Sequence, residues 1–590
     1  MIIGLDVGGT HADVVLLGDS GLVREIKVPT DQENLFKTVL AGLEAIIDGI
    51  DPHQIRRIVL STTLTTNAIA QKKLPPVGMI VSSGPGVDPD FYRTNLHYYA
   101  VAGSIDHRGR EVAPISENEI QKVADGFKTE GIRNVGIVGK FSVRNPRHEI
   151  QIHRILKDHF ERLFMGHQVS GNLNFSRRVA TTYLNAAVYP IHRSFFDAVN
   201  KSLFQKGLDV PLYILKADGG TMNLGASMEF PGQTILSGPA ASVMGAVGFA
   251  PIDTDAMVMD IGGTTTDIAI IRNRIPLLHP TGVRLGGFRT LIRSLETRSI
   301  GIGGDSSVKV SDGELIMGPE REGPAMAFGG SKPTPTDALL VLGEMTGGDR
   351  EAAFRGMTAV AQDLGLSVED AARRVIDHAC HRILSEAREL IDRINNRPVY
   401  TVQDLQQGDK VNPTVFLILG GPAPYFARRI EALSGCRAQL VPRWQVANAV
   451  GAALARTTCE VMVFADTQLG VIRAPEENYS EMIDHDFRSF CKPLFRRNRT
   501  VSPNLQIKPV IFRTLTNTVV SIPNARIAYD QVENQHGARI FDHREKFEGK
   551  STDQAGIDKR LRTMDRSNFM NRDGLKGHEC LKGFNVKSQA

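Results

Sequence analysis

The stretch MIIGLDVGGTHADVVLL opens this chain, and VMDIGGTTTDIAII repeats its pattern from residue 258. Aligning the two puts Asp6 on Asp260, Gly8-Gly9-Thr10 on Gly262-Gly263-Thr264 and Asp13 on Asp267. Each copy reads as an apolar strand ending in Asp, a Gly-Gly-Thr turn and a second strand. The two glycines remove Cβ atoms, so the backbone bends tightly and phosphate oxygens can approach its amides. The threonine hydroxyl can donate to a phosphate oxygen. The leading Asp, at the strand's carboxyl end, can hold a magnesium ion directly or through its waters. One such hairpin is a common turn. Two in matched register, each with a further Asp seven residues on, read as paired phosphate loops.

The rest of the chain supplies the frame for such loops. At 590 residues it exceeds what one core can serve, so two to four domains are expected. The first 165 residues alternate strand-like and helix-like segments, which points to α/β architecture. TDQENLFKTVLAGLEAIIDGI has helical spacing, and Thr30 with Glu33 resembles a capping box at its start. Ser116 and Glu119 open a second boxed helix. Residues 175–205 read as one or two helices with a kink at Pro190. ILSGPAASVMGAVGFA reads as a glycine–proline turn followed by a helix of small residues. Past residue 465 the periodicity fades.

Composition excludes several classes. The start of the chain shows no basic stretch or apolar signal core, and no apolar run reaches membrane length, so a cytoplasmic protein without a membrane span is expected. Five scattered cysteines form neither a zinc pattern nor a disulfide framework. Residues 491–590 hold 19 Lys and Arg against 10 Asp and Glu, but no series of aromatics to stack bases. A solvated basic extension is expected there, not a nucleic-acid site. The chain lacks G-x-G-x-x-G after its first strand and lacks the P-loop signature, which removes the dinucleotide and P-loop folds.

The doubled hairpin resembles the acetate and sugar kinase, heat-shock ATPase and actin superfamily. The resemblance implies two duplicated actin-like (ribonuclease H-like) ATPase halves around an interdomain nucleotide cleft. Its third element, a strand–Gly-Gly–helix turn beneath the adenosine, matches LILGGPAPYFARRIEAL at Gly420 and Gly421, with a closing helix at 446–455. More motifs narrow the branch: STTLTTNAIAQKK, NPRHE, SRRVATTYLNAAVYP, LSGPAAS, MDIGGTTTDIA and PTPTDALLVLG occur in one order. Together they resemble the hydantoinase A/oxoprolinase family, the ATP-using subunits of N-methylhydantoinase, 5-oxoprolinase and acetone-type carboxylases. The expected division is 1–170, 171–465 and a partly disordered basic extension, 466–590.

This resemblance implies ATP and Mg²⁺ as cofactors and phosphorylation of the amide oxygen of a cyclic amide, of hydantoin or 5-oxoproline type. A hydantoinase B-type subunit would complete the ring opening, and an oligomer is expected. Because the chain has no room for a fused B-type half, that partner is expected to be separate. Asp6 and Asp260 would position the metal. Gly8, Gly9, Thr10, Gly262, Gly263, Thr264 and Thr265 would contact phosphates. Thr63 and Asn67, with Thr62 and Thr66, either face the transferred phosphate and substrate or form a helix N-cap cluster. Asp13 and Asp267 either join the site or brace the second strands. Gly303, Gly304 and Asp305 lie on a second glycine loop, where Asp305 interrupts the glycine run usual in relatives. Leu60-Ser61 stands where the best-known members have His-Gly, so no acid–base histidine precedes the threonine turn. His148 is read as structural. A small-molecule kinase or carboxylase-activating subunit, and a nucleotide-gated switch without a small-molecule substrate, are the competing readings.

Overall fold

Alternating apolar residues build the first strand, β1 (Ile2–Val7), whose Ile3, Leu5 and Val7 are fully buried in one core. It turns through Gly8–Thr10 into β2 (His11–Gly18), which pairs antiparallel with β3 (Gly21–Pro29). The computed structural model describes residues 1–31, 33–319, 322–398, 410–458, 462–466, 471–477, 479–482 and 511–512. Helix α1 (Leu35–Ile47) is capped by Asn34, whose side chain accepts from Lys37 N. The expected Thr30–Glu33 box is therefore displaced: Thr30 Oγ1 donates to Gly8 O instead, tying β3 to the first turn. Next, β4 (Arg57–Thr62) runs parallel to β1, and α2 (Leu64–Ala70) follows from its carboxyl end.

A layer is inserted here. Strands at 162–165, 134–139, 78–82 and 98–100 form a parallel four-stranded sheet, with helices Glu117–Thr129 and Arg147–Leu156 beside it. Ser116 caps the first of these by accepting from Glu119 N, while the Glu119 side chain turns away to Ala102 N. A 31-residue helix, α3 (Phe175–Gln205), runs through Pro190 without a break and returns the chain to the first sheet. There β5 (Leu212–Leu215) lies parallel to β4, and β6 (Thr221–Asn223) pairs antiparallel with β5. The first sheet thus draws strands from both sides of residue 170.

Helix α4 (Ser237–Ala246) begins ahead of its glycine–proline pair, not after it as the sequence implied. Gly238 and Pro239 lie inside its first turn, and the turn itself falls on Leu236, held at a left-handed φ of 68°. Proline fits the first turn of a helix because the amide it lacks has no partner there. The second sheet then repeats the first. Strand β7 (Asp255–Ile261) pairs antiparallel with β8 (Thr266–Arg272), and β8 pairs with β9 (Thr297–Ile300). Helices α5 (Pro335–Val341), α6 (Arg350–Leu364) and α7 (Val368–Asn395) pack a large core against its outer face. Strand β10 (Val415–Leu419) lies parallel to β7, α8 (Ala423–Ser434) follows, and β11 (Arg437–Leu440) lies parallel to β10. Helix α9 (Ala447–Leu454) closes the fold.

Helices α4 and α9 cross between the two sheets at very short range. A Cβ on Gly245 would stand 2.1 Å from Ala447 O, and one on Gly451 would stand 2.1 Å from Ala241 O. Gly4 of β1 is equally tight, 2.2 Å from Ala449 O. Most of the expected extension, including GFNV at 583–586, lies outside the described residues. Its described parts include strands Val471–Ala474 and Tyr479–Met482, paired antiparallel. Among the described residues no helix is long and apolar enough to cross a membrane.

Candidate nucleotide site

The two Gly-Gly-Thr turns close in the same way. Gly8 N donates to His11 O at 3.0 Å, and Gly262 N donates to Thr265 O at 2.9 Å. Their strand registers match as well: Asp6 pairs with Asp13 across β1 and β2, and Asp260 pairs with Asp267 across β7 and β8. Directly opposed residues of antiparallel strands share a face, so each leading carboxylate has a second one beside it. Asp13 is held by the Lys27 ammonium from β3, which also reaches Gln445 O at 3.3 Å. Asp13 is thus braced by Lys27 while it stands opposite the leading Asp.

The turns also face each other. A Cβ added to Gly263 would stand 3.7 Å from the Thr10 methyl and 2.7 Å from Asp305 Oδ2. Residues separated by some 250 positions in sequence therefore line one crevice, at the carboxyl ends of β1 and β7. Electrostatics report the same meeting. Burial, with the charges of Asp13 and Asp260 nearby, pushes the Asp6 carboxyl up to about 7. Asp267 is likewise pushed to about 7 by burial and by the Asp260 charge. Asp260 is raised by burial, as is Asp13. Four carboxyls thus crowd a place where protein supplies few cations.

The glycine loop seats on the second turn. Gly304 N donates to Gly262 O at 3.0 Å and Asp305 N to Gly263 O at 2.5 Å. Thr336, from the PTPTDALLVLG motif, fixes that loop by donating its hydroxyl and its amide to Gly304 O, each at 2.8 Å. Asp337 in the same motif is fully buried and completes a capping box with Thr334. The strand–Gly-Gly–helix turn closes the second half of the crevice. Gly420 has φ 97°, and its Cβ would stand 2.2 Å from Ile261 O and 2.6 Å from Asp260 Oδ1. A Cβ on Gly304 would meet Pro422 at 2.8 Å. Gly421, by contrast, opens onto space with no protein atom within 4 Å of its Cβ position.

The threonine turn sits against the first hairpin. Thr63 is the N-cap residue of α2, yet its hydroxyl caps nothing; it donates to Val7 O at 3.2 Å, and Asn67 Nδ2 donates to Thr63 Oγ1 at 3.3 Å. Thr62 and Thr66 are taken by structure: Thr62 Oγ1 accepts from Leu64 N, and Thr66 Oγ1 accepts from Leu236 N. Only Thr63 and Asn67 of that cluster stay at the hairpin. His148 is structural as read, buried with Nε2 on Glu111 Oε1 at 2.8 Å.

Two site residues were not singled out in the sequence, although Ser242 closes the LSGPAAS motif. Asn448 on α9 donates Nδ2 to Asp6 Oδ2 at 2.7 Å. Ser242 on α4 donates its hydroxyl to Asp260 Oδ2. Asn448 is the one polar residue of α9, ANAVGAAL, and Ser242 shares the otherwise small and apolar α4, SGPAASVMGA, with Ser237 alone. A polar residue set among small ones was the available signal.

Comparison with known proteins matches this arrangement. The model of the hydantoinase/oxoprolinase family covers residues 178–461, and that of its N-terminal region covers residues 2–160. The chain belongs to the hydantoinase/oxoprolinase family. One relative is caprolactamase subunit alpha of Pseudomonas jessenii, 25% identical over 487 residues, covering 75% of this chain and 68% of that one. Another is the acetone carboxylase beta subunit of Xanthobacter autotrophicus, 24% identical over 438 residues, covering 64% and 60%. The chain thus spans about three fifths to two thirds of these relatives' length. Nucleotide-free acetone carboxylase superposes with a TM-score of 0.63 at 21% identity, over 77% of this chain and 70% of its own. The chain shares the fold of that structure and of the Pseudomonas jessenii caprolactamase (TM-score 0.61 at 23% identity), and its doubled α/β sheet with facing turns has the actin-like arrangement expected from the sequence.

Proposed function

We propose that this chain is the ATP-using subunit of a hydrolase that opens a cyclic amide of the hydantoin or 5-oxoproline type. The observation that carries the reading is the meeting of the two hairpins, Thr10 against Gly263, with Asp6 sensing the charge of Asp260. The relatives support it, because one is an ATP-dependent caprolactamase and a lactam is a cyclic amide. In this reading Gly8–Thr10 and Gly262–Thr265 hold the phosphates, and Gly303, Gly304 and Asp305 back the second hairpin. Gly420 and Gly421 pass beneath the nucleotide. Thr63 and Asn67 face the transferred phosphoryl group and the substrate. Attack of the amide oxygen on the γ-phosphorus expels ADP and removes the resonance that protects the ring. Net, cyclic amide, ATP and two waters give the ring-opened acid, ADP and phosphate; that acid is an amino acid from a lactam and an N-carbamoyl amino acid from a hydantoin. A B-type subunit receives the activated amide, in the cytoplasm.

The site fits a magnesium ion. Asp6 Oδ1 and Asp267 Oδ1 are buried oxygens that take no hydrogen bond, the mark of carboxylates short of a positive partner. Among the described residues no group of three or more His, Cys, Asp or Glu is placed to hold a metal. Magnesium does not need one, since it keeps most of its waters and takes one or two carboxylates plus phosphate oxygens. Asp6 and Asp260 are those carboxylates. Once bound, the ion would neutralise charge on the β- and γ-phosphates.

The test is ADP release across a panel of lactams, with the purified partner subunit added. Stimulation by a hydantoin or 5-oxoproline supports the reading, and Asp6→Asn or Asp260→Asn should then abolish turnover while the fold survives. Stimulation only by a ketone with bicarbonate would make the chain a carboxylase subunit. Tight ATP binding that no small molecule stimulates would make it a switch.

A further inference from the structure

Helix α4 leaves the first sheet after β6 and leads into β7, while α9 leaves the second sheet after β11 and lies back on β1. Each is therefore the last helix of one half, carried across to the other. Each brings one hydrogen-bond donor to the leading carboxylate of the half it reaches: Asn448 of α9 to Asp6, and Ser242 of α4 to Asp260. We propose that Asn448 and Ser242 are a reciprocal pair of positioning residues that turn Asp6 and Asp260 toward the metal-bound nucleotide and couple its seating to the angle between the halves. The proposal rests on the nucleotide reading above and assigns the two residues that set its geometry.

Three observations lead there. First, each donor ties one oxygen and leaves the other. Asn448 holds Asp6 Oδ2, while Asp6 Oδ1 is buried and takes no hydrogen bond. Ser242 holds Asp260 Oδ2, while Oδ1 lies beside the Gly420 turn, 2.6 Å from where a Cβ would be. A carboxylate with one oxygen tied by a fixed donor presents its second oxygen in a fixed direction. Second, the Asn448 amide is itself fixed, because its Oδ1 accepts from Ala449 N at 3.0 Å, which leaves Nδ2 for Asp6. Third, the helices that carry the donors have no slack. Gly245 and Gly451 allow backbone contact at the crossing, and Gly4 lets α9 sit directly on β1. A change of angle between the sheets has to pass through this crossing, so it moves the donors against their carboxylates. Tight packing turns such a change into a switch between discrete arrangements.

The experiment measures binding of a non-hydrolysable ATP analogue to the full chain by calorimetry, with magnesium and again with EDTA. Melting temperatures verify folding. Asn448→Ala and Ser242→Ala should each weaken magnesium-dependent binding about tenfold, the loss expected for one hydrogen bond to a charged group. Metal-free binding should stay at the wild-type level. Ser242→Thr, which retains the hydroxyl, should recover most of the loss. The double variant should lose less than the product of the single losses, because breaking either latch already frees the crossing. Equal losses with and without magnesium, no loss in either variant, or strictly multiplicative losses would overturn the proposal. A wild-type chain that binds no nucleotide overturns the nucleotide reading and the latch with it, whereas normal wild-type binding with unaffected variants removes the latch alone.

Discussion

Adjacent glycines at 420 and 421 give the site an internal control. Gly420 adopts φ 97°, a backbone conformation that costs an L-residue roughly 1–2 kcal/mol. Its Cβ would also stand 2.2 Å from Ile261 O and 2.6 Å from Asp260 Oδ1, closer than real Cβ atoms come. Neither neighbour can yield easily: one is strand backbone, and the other is a carboxylate held by Ser242. Overpacking of this kind adds about 1–3 kcal/mol, so Gly420→Ala should destabilise the second half by about 2–5 kcal/mol. Gly421→Ala meets no protein atom within 4 Å, and its φ is not left-handed. In the free protein it should be neutral, or stabilising by about 0.4–1 kcal/mol through a less flexible unfolded chain. If the nucleotide lies over Gly421, the new methyl group strikes it. Gly421→Ala should then weaken ATP binding with no loss in melting temperature, whereas Gly420→Ala loses both. Thermal melting paired with calorimetric titration of ATP separates the cases. A Gly421→Ala protein that binds ATP like wild type would refute the adenosine-turn assignment, and a Gly420→Ala protein that melts like wild type would refute the packing argument.

Other perturbations test the frame. Arg178 is fully buried, donating to Asn172 O, Gly139 O and Lys140 O near the buried Glu149 carboxylate, so Arg178→Leu should lower stability by about 3–5 kcal/mol, read by denaturant melts. Gly451→Ala places a methyl 2.1 Å from Ala241 O at the helix crossing and should cost about 1–3 kcal/mol, with melting temperature as readout. Stability without metal or nucleotide should fall as pH rises from about 4 to about 7, because folded Asp267, raised to about 7, keeps a proton that the unfolded chain has released. The cost is complete above the folded value. Asp267→Asn should reduce that slope in melts across pH, and an unchanged slope would show that Asp267 does not carry it.

Much of this was legible because duplication writes a pattern twice. The Asp–Gly-Gly–Thr strings announced their strands, their turns and the paired register of Asp6 with Asp13 and Asp260 with Asp267. The strand–Gly-Gly–helix turn was readable for a different reason: glycine alone readily adopts the φ of residue 420. What failed was local competition. Thr30 with Glu33 looked like a helix cap, but Thr30 found a carbonyl across the strand in Gly8, and Asn34 took the cap. The return of β5 to the first sheet was not legible either, because it depends on pairing with β4, a contact some 150 residues distant in sequence.

Family motifs divide by what they touch. SRRVATTY contributes Arg178, and TPTD contributes Asp337; both are buried in hydrogen bonds that hold backbone, with no exposed functional atom. STTLTTNA splits, since Thr62 and Thr66 serve the turn into α2 and α4 while Thr63 and Asn67 stay at the first hairpin. A motif in a sequence therefore marks a position under constraint without saying whether chemistry or packing constrains it. Asn448 and Ser242 show the converse. Neither lies in a Gly-Gly-Thr hairpin, and only Ser242 falls in a quoted motif, at the end of LSGPAAS, yet each ties a leading carboxylate, because a helix of small residues can approach a strand end closely enough for a short polar side chain to reach it. The small residues at the crossing and the donors within them are one device: close approach supplies the reach, and the reach places the carboxylate.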